Sequence, residues 1–212
     1  NTAVGRSSLD ANTLGTGNAA LGYASLGANT TGPNNAAFGY NALGLNTTAA
    51  YNTAVGYNTL ASNTTGTQNV AVGGLALDAN TTATSNTAVG YSSLGANTTG
   101  ANNTAMGVLA LNGCVTGTQN SAFGRSSLTL NTGDYNTAVG YDTIGEAGDG
   151  SYNTAVGRGA CSANTSGAQN TAVGYGALGL NAAGVDNSGI GYQALASVNG
   201  GNDNSAVGRY AG

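Results

Sequence analysis

Histidine, tryptophan and lysine are absent from the 212 residues, and proline and methionine occur once each. Without histidine there is no Ser-His or Cys-His nucleophile, no histidine general base and no imidazole metal ligand. The four cations are all arginines (Arg6, Arg125, Arg158, Arg209), scattered in a chain of net charge -4. They make no basic patch for a phosphate backbone, so no nucleic acid is expected as a partner. Apolar residues make up 40% of the chain, mostly alanine, which leaves few large side chains for a thick core. No apolar run approaches the roughly 20 residues of a membrane helix, so no membrane insertion is expected, and no segment resembles a signal peptide. Charged residues are only 6%, which separates the chain from charged disordered sequences. What it has in quantity is glycine, 37 residues, together with Ala, Asn and Thr. It opens Asn-Thr-Ala-Val-Gly without Met and reads as a piece of a longer protein.

That biased composition resolves into a repeat. The motif Asn-(Thr/Ser)-Ala-Val-Gly begins at Asn1 and recurs at Asn18, Asn35, Asn52, Asn69, Asn86, Asn103, Asn120, Asn136, Asn153, Asn170, Asn187 and Asn204. Every interval is 17 residues except the 16 from Asn120 to Asn136. Residues 1–212 therefore read as one repeat domain with no linker. The consensus is N-T-A-V-G-Y-x-A-L-x-x-N-T-T-G-x-x, with Asn at position 1 and Gly at position 5 throughout. Position 4 is always apolar (Val4, Leu21, Phe38 and onward to Val207), and position 9 is Leu in most coils.

A helical-hairpin repeat needs about 33 residues or more, whereas a short β coil fits in 17. Gly, Asn and Thr are also poor helix formers. The spacing predicts an all-β fold, a parallel β-solenoid or β-roll of about 12 coils, stacked about 4.8 Å apart into a rod of about 55–60 Å. Two short strands per coil are expected, at Thr-Ala-Val-Gly-Tyr and at Ala-Leu, with positions 4 and 9 facing each other across a thin core. Gly at positions 5 and 15 is expected to supply positive φ, or the close approach of another chain, at two corners. Asn at positions 1 and 12 is expected to tolerate the left-handed region and to form amide ladders along the axis. So thin a core calls for a second buried face. The alanines at positions 3 and 8 suit close packing between chains, which points to a homo-oligomer. The missing residue before Asn136 is expected to fall in the surface turn of positions 10–17.

The residues Asn136-Thr-Ala-Val-Gly140-Tyr141 and Asn97-Thr-Thr-Gly100 resemble the tandem repeats of bacterial and phage tail-fibre-type proteins. They are also similar to the head repeats of trimeric autotransporter adhesins, which use a shorter Ser-Val-Ala-Ile-Gly coil. The resemblance covers the whole chain. It implies a left-handed parallel β-roll in a homotrimer, continued head-to-tail in a longer fibre, on a cell surface or a virion. It also implies an unknown surface receptor or glycan as partner.

Position 6 carries Tyr23, Tyr40, Tyr57, Tyr91, Tyr141, Tyr175 and Tyr192, and all four arginines fall in the same column. A site that takes Tyr or Arg has an apolar stem and a wet tip. It reads either as a surface-binding stripe or as a half-buried ladder that shields the core or lines a subunit interface. Asp142, Glu146 and Asp149 on a Gly-rich turn offer oxygen ligands, yet match no calcium-loop pattern, and a solvated turn is the simpler reading. Gly174-Tyr-Gly176-Ala-Leu-Gly179 matches a dinucleotide fingerprint only by falling in phase with the repeat. Cys161 replaces a core Leu. Cys114 lies three coils away, out of disulfide reach of Cys161, with pairing between chains as an alternative. Asn29, Asn46, Asn63, Asn80 and Asn97 match the N-glycosylation pattern but suit plain turn chemistry.

These features predict a structural and adhesive fibre segment, with no metal, no cofactor and no catalysis. Two alternatives stay open. An ice- or glycan-binding solenoid could use the threonines at position 13 (Thr13, Thr30, Thr47, Thr64, Thr81, Thr98), although that ladder breaks at Val115. A polysaccharide-cleaving spike would need a paired acid and base, and no such pair recurs.

Overall fold

The computed structural model describes residues 1–145 and 148–212. Each coil contributes one three-residue strand, from β1 (Thr2–Val4) and β2 (Ala19–Leu21) to β12 (Ser188–Ile190) and β13 (Ser205–Val207). The 13 strands form one parallel sheet in chain order. Register is fixed by the repeat: Thr2 pairs with Ala19, Ala3 with Ala20, Val4 with Leu21. The protein is thus an all-β parallel β-solenoid of about 12 turns with a roughly 17-residue repeat, and the described residues contain no helix.

Inside and outside differ from the arrangement expected above. A strand centred on position 3 alternates its side chains, so position 3 points in and positions 2 and 4 point out. The position 3 alanines (Ala37, Ala54, Ala71, Ala88 and on to Ala172) are fully buried. The large apolar residues at position 4 lie outside: Leu21, Phe38, Met106 and Ile190 are each at least 40% exposed. The core therefore pairs a methyl group at position 3 with the leucine at position 9 (Leu26, Leu43, Leu60 and onward), not two large side chains. A 17-residue coil is too narrow for more. The alanines of positions 3 and 8 are consequently spent inside the chain and are not available for packing between chains.

Position 8 also accepts Ser or Thr because the hydroxyl finds a carbonyl. Ser93 Oγ donates to Gly90 O at 3.0 Å, and Thr59 Oγ1 to Gly73 O at 2.7 Å. Buried hydroxyls so satisfied cost little. The Ala-Leu segment forms no second strand; positions 6–11 are turn.

The left-handed residues are also not those expected. Positive φ falls at positions 7, 9 and 17, including Leu43 at 51° and Leu60 at 50°. Asn at positions 1 and 12 has none. A leucine in that region costs on the order of 1–2 kcal/mol. Complete burial of the side chain offsets this, because the left-handed turn is what aims Leu60 inward. Position 5 glycine does hold a positive φ, 129° at Gly73. A Cβ there would sit 2.6 Å from the carbonyl oxygen of Gly90 in the next coil. Position 15 has no such φ; it is Ala49 and Ala83 in two coils.

Two asparagine ladders line the core, one at position 1 along the whole rod and one at position 12 from Asn12 to Asn97. At position 1, each backbone N–H is donated to the side-chain oxygen of the preceding coil, as from Asn18 to Asn1 Oδ1 at 2.9 Å. At position 12, Asn63 Nδ2 donates to Asn46 Oδ1 at 2.9 Å. Both ladders also donate to the position 15 carbonyl: Gly66 O receives Asn52 Nδ2 at 2.8 Å and Asn63 Nδ2 at 3.0 Å. That carbonyl ties two buried amide columns together. The 16-residue coil omits position 14. Gly133 O takes over the position 15 role and accepts from Asn120 Nδ2 at 2.8 Å. The position 1 ladder crosses the deletion intact, with Asn136 N donating to Asn120 Oδ1 at 2.9 Å.

Candidate binding surfaces

Backbone turns at positions 5 to 7 place the position 6 side chains on the outside, next to the position 4 column. Tyr23, Tyr40 and Tyr57 stack in sequence, with ring centroids 5.2 and 5.4 Å apart. Tyr175 stacks on Tyr192 at 5.2 Å. Tyr141 lies between the guanidinium groups of Arg125 at 5.9 Å and Arg158 at 5.6 Å. Arg209 closes the column over Tyr192 at 5.5 Å. Tyr91 stands apart, between Gly74 and Val108 in the sequence of the column. The seven predicted tyrosines thus share one outward stripe, broken at Gly74 and Val108. All are exposed by 43% or more, so the column does not shield the core of its own chain. Rings stacked at the coil spacing cover one another's faces. They offer edges and hydroxyls outward rather than flat faces for a ligand to stack upon.

A second pair was not foreseen. Tyr135 and Tyr152 stack at 4.8 Å with ring planes 5° apart. Counting forward through the short coil puts Tyr135 one position out of phase. Counting back from Asn136 and Asn153 would have aligned the two rings, since each immediately precedes its asparagine.

The position 4 column was read as core and is instead a continuous outer ribbon from Val4 to Val207. Beside coils 9–12, a groove of about 480 Å³ runs along the turns, walled by Tyr141, Arg158 and Tyr175 and floored by Gly159, Gly176 and Gly179.

The remaining sequence candidates are less productive. Asp142 is exposed at position 7 and borders that groove; Glu146 lies outside the described residues. No group of three metal-ligating side chains occurs among the described residues. Gly174 and Gly176 sit in turns with φ of 133° and 61°, in strand-to-turn geometry rather than at a helix start. The asparagines of the glycosylation pattern are fully buried, and Asn46 Nδ2 is spent on Asn29 Oδ1 and Ala49 O. Position 13 threonines donate their hydroxyls to the next coil's backbone, as Thr30 Oγ1 does to Thr47 O at 3.1 Å. Cys114 and Cys161 are both free and buried. Burial pushes the Cys114 thiol up to about 11 and the Cys161 thiol up to about 12. Burial closes Cys114 to pairing between intact coils.

Comparison with protein-family models, with curated proteins and with solved structures finds no match to this chain.

Proposed function

We propose that the chain is a structural and adhesive segment of a fibre, on a cell surface or a virion, assembled as a homo-oligomer through the outer face of its sheet. The observation that carries this reading is the position 4 ribbon. Thirteen apolar residues, including Phe38, Met106 and Phe123, line a sheet face about 58 Å long. At roughly 10 Å across, the ribbon covers on the order of 600 Å², the upper end of what monomeric proteins expose as one patch. That is close to the roughly 800 Å² per partner of a standard interface, once flanking residues are added. Parallel in-register strands repeat the same side chains at equal spacing, so a second copy meets the same ribbon along its whole length. Three copies is the number the repeat resemblance implies. The role is mechanical and adhesive rather than catalytic: a rod that carries turns at a fixed distance from its anchor, continued head-to-tail.

An ice-binding role is weakened on two counts. The position 13 hydroxyls are already donated to backbone, and the position 4 face mixes Val with the longer Leu21, Phe38 and Met106. A glycan-binding role is favoured by the groove and is taken up below.

Sedimentation equilibrium tests the assembly. The expected species has about three times the 20.3 kDa of one chain, and Val72→Asp with Val139→Asp reduces it to monomer. A wild-type monomer with full β circular dichroism at micromolar concentration sinks the proposal.

A further inference from the structure

We propose that the groove beside coils 9–12 binds a neutral oligosaccharide, laid along the rod axis. The inference rests on the adhesive reading above and names the chemistry of its ligand. Its origin is local. Position 7 carries a side chain in every coil except at Gly159 and Gly176, which are consecutive. Their φ values of 65° and 61° match those of the non-glycine residues in the same column, such as Asn41 at 53° and Asn58 at 49°. Backbone conformation therefore does not demand glycine there. Nor does packing: an added Cβ would meet nothing within 4 Å at Gly159, and at Gly176 would meet the flexible Gln193 side chain, with Cγ at 3.4 Å. What the two glycines accomplish is to leave open space beside the Tyr/Arg column.

The space is of ligand size and polar at its rim. About 480 Å³ falls in the usual range for a small-molecule site. The groove from Tyr141 to Gln193 spans three coil steps, about 14 Å, which suits a chain of similar units. Arg158 lies between the rings of Tyr141 at 5.6 Å and Tyr175 at 5.8 Å, which favours a guanidinium held along the ring column. Its N–H groups donate, Asp142 accepts, Gln193 and Ser197 do both, and Ser162, whose hydroxyl donates to Gly179 O at 3.4 Å, accepts, while Leu180 gives one apolar contact. This mixture matches a polyhydroxylated chain. The charges of Asp142 and Arg158 cancel, which favours a neutral sugar over a uronate or a phosphate. Stacked rings offer hydroxyls and edges, so recognition is by hydrogen bonding more than by ring stacking.

Titration calorimetry with cello-, malto-, manno- and chitotetraose, and with tetragalacturonate as the acidic comparison, tests the groove. At least one neutral tetraose is expected to bind. Gly159→Asn with Gly176→Asn fills the groove with the residue that column already holds at Asn41 and Asn58. It is expected to weaken binding about tenfold or more, with sedimenting mass and circular dichroism unchanged. Asn41→Ala, in the same column outside the groove, leaves binding unchanged. Three results would overturn the proposal: no neutral tetraose binds, only tetragalacturonate binds, or the filled variant binds like the wild type. In each case an intact oligomer would leave the fibre reading standing.

Discussion

The position 12 ladder behaves differently in two stretches of the rod. From Asn12 to Asn97 it is continuous, and every amide from Asn29 on donates both to the asparagine before it and to its own coil's position 15 carbonyl, as Asn80 does at 2.8 and 3.2 Å. Beyond Asn97 the column reads Cys114, Asn131, Ala147, Asn164. Cys114 keeps only a contact of 3.6 Å from Sγ to Gly117 O, and Asn97 Oδ1 is left buried without a donor. Asn131 turns to its own loop, accepting from Gly133 N at 3.0 Å, and Asn164 Oδ1 is likewise unpaired. The position 1 ladder continues through the same coils without a break. Asn97 loses its donor to the substitution at Cys114, whereas Asn164 loses its donor because Asn181 turns to its own Gly184. The column beside the strand is kept whole, whereas the one at the edge of the variable turn is allowed to fail.

Substitutions can test that contrast. The largest effect is expected where the stretches do not differ. Gly73→Ala, in the regular stretch, and Gly140→Ala, in the interrupted one, each drive a Cβ against the next coil's glycine at forbidden φ. Each should cost about 4 kcal/mol or abolish folding, measured by urea unfolding. If Gly140→Ala were tolerated, the interrupted stretch would be loosely stacked at its strand as well as at its turn. Next, Asn63→Ala leaves Asn46 Oδ1 without a donor and takes one of two partners from Gly66 O and from Asn80 Nδ2, an expected loss of about 3 kcal/mol. Asn131→Ala, whose amide makes only a 3.5 Å contact to Gly133 O and one accepted bond, should cost about 1 kcal/mol. Equal costs would show that the ladder adds nothing beyond local bonds. The smallest effect has the opposite sign. Cys114→Asn supplies the donor that Asn97 Oδ1 lacks and a better one for Gly117 O, and should stabilise by about 1 kcal/mol. A destabilised Cys114→Asn would mean that the space at Cys114 has closed around sulfur.

Much of this was legible in the residues, and each miss has its own cause. The strand at Thr-Ala-Val, the glycine of position 5 and the shared column of tyrosine and arginine all follow from what stacks on what, which the interval of 17 fixes. Val72 and Phe38 were assigned to the core because hydrophobicity marks burial on average. Here the coil is so narrow that position 3 takes only alanine opposite the position 9 leucine, and the larger side chains of position 4 are left outside. Leu60 was not foreseen at φ 50°, since leucine disfavours that region unless burial repays it. The groove escaped notice because Gly159 and Gly176 look like two more glycines in a glycine-rich chain.

By itself, the sequence determined the period, the parallel register and the columns. These are properties of a residue and its copy one coil away, and a repeat states them directly. Only the tertiary structure decided which columns face in. It also decided that Gly66 O joins the two asparagine ladders, and that the tyrosine faces are spent on one another. Those outcomes depend on the width of the coil and the path of its turns, and neither is written in any single repeat.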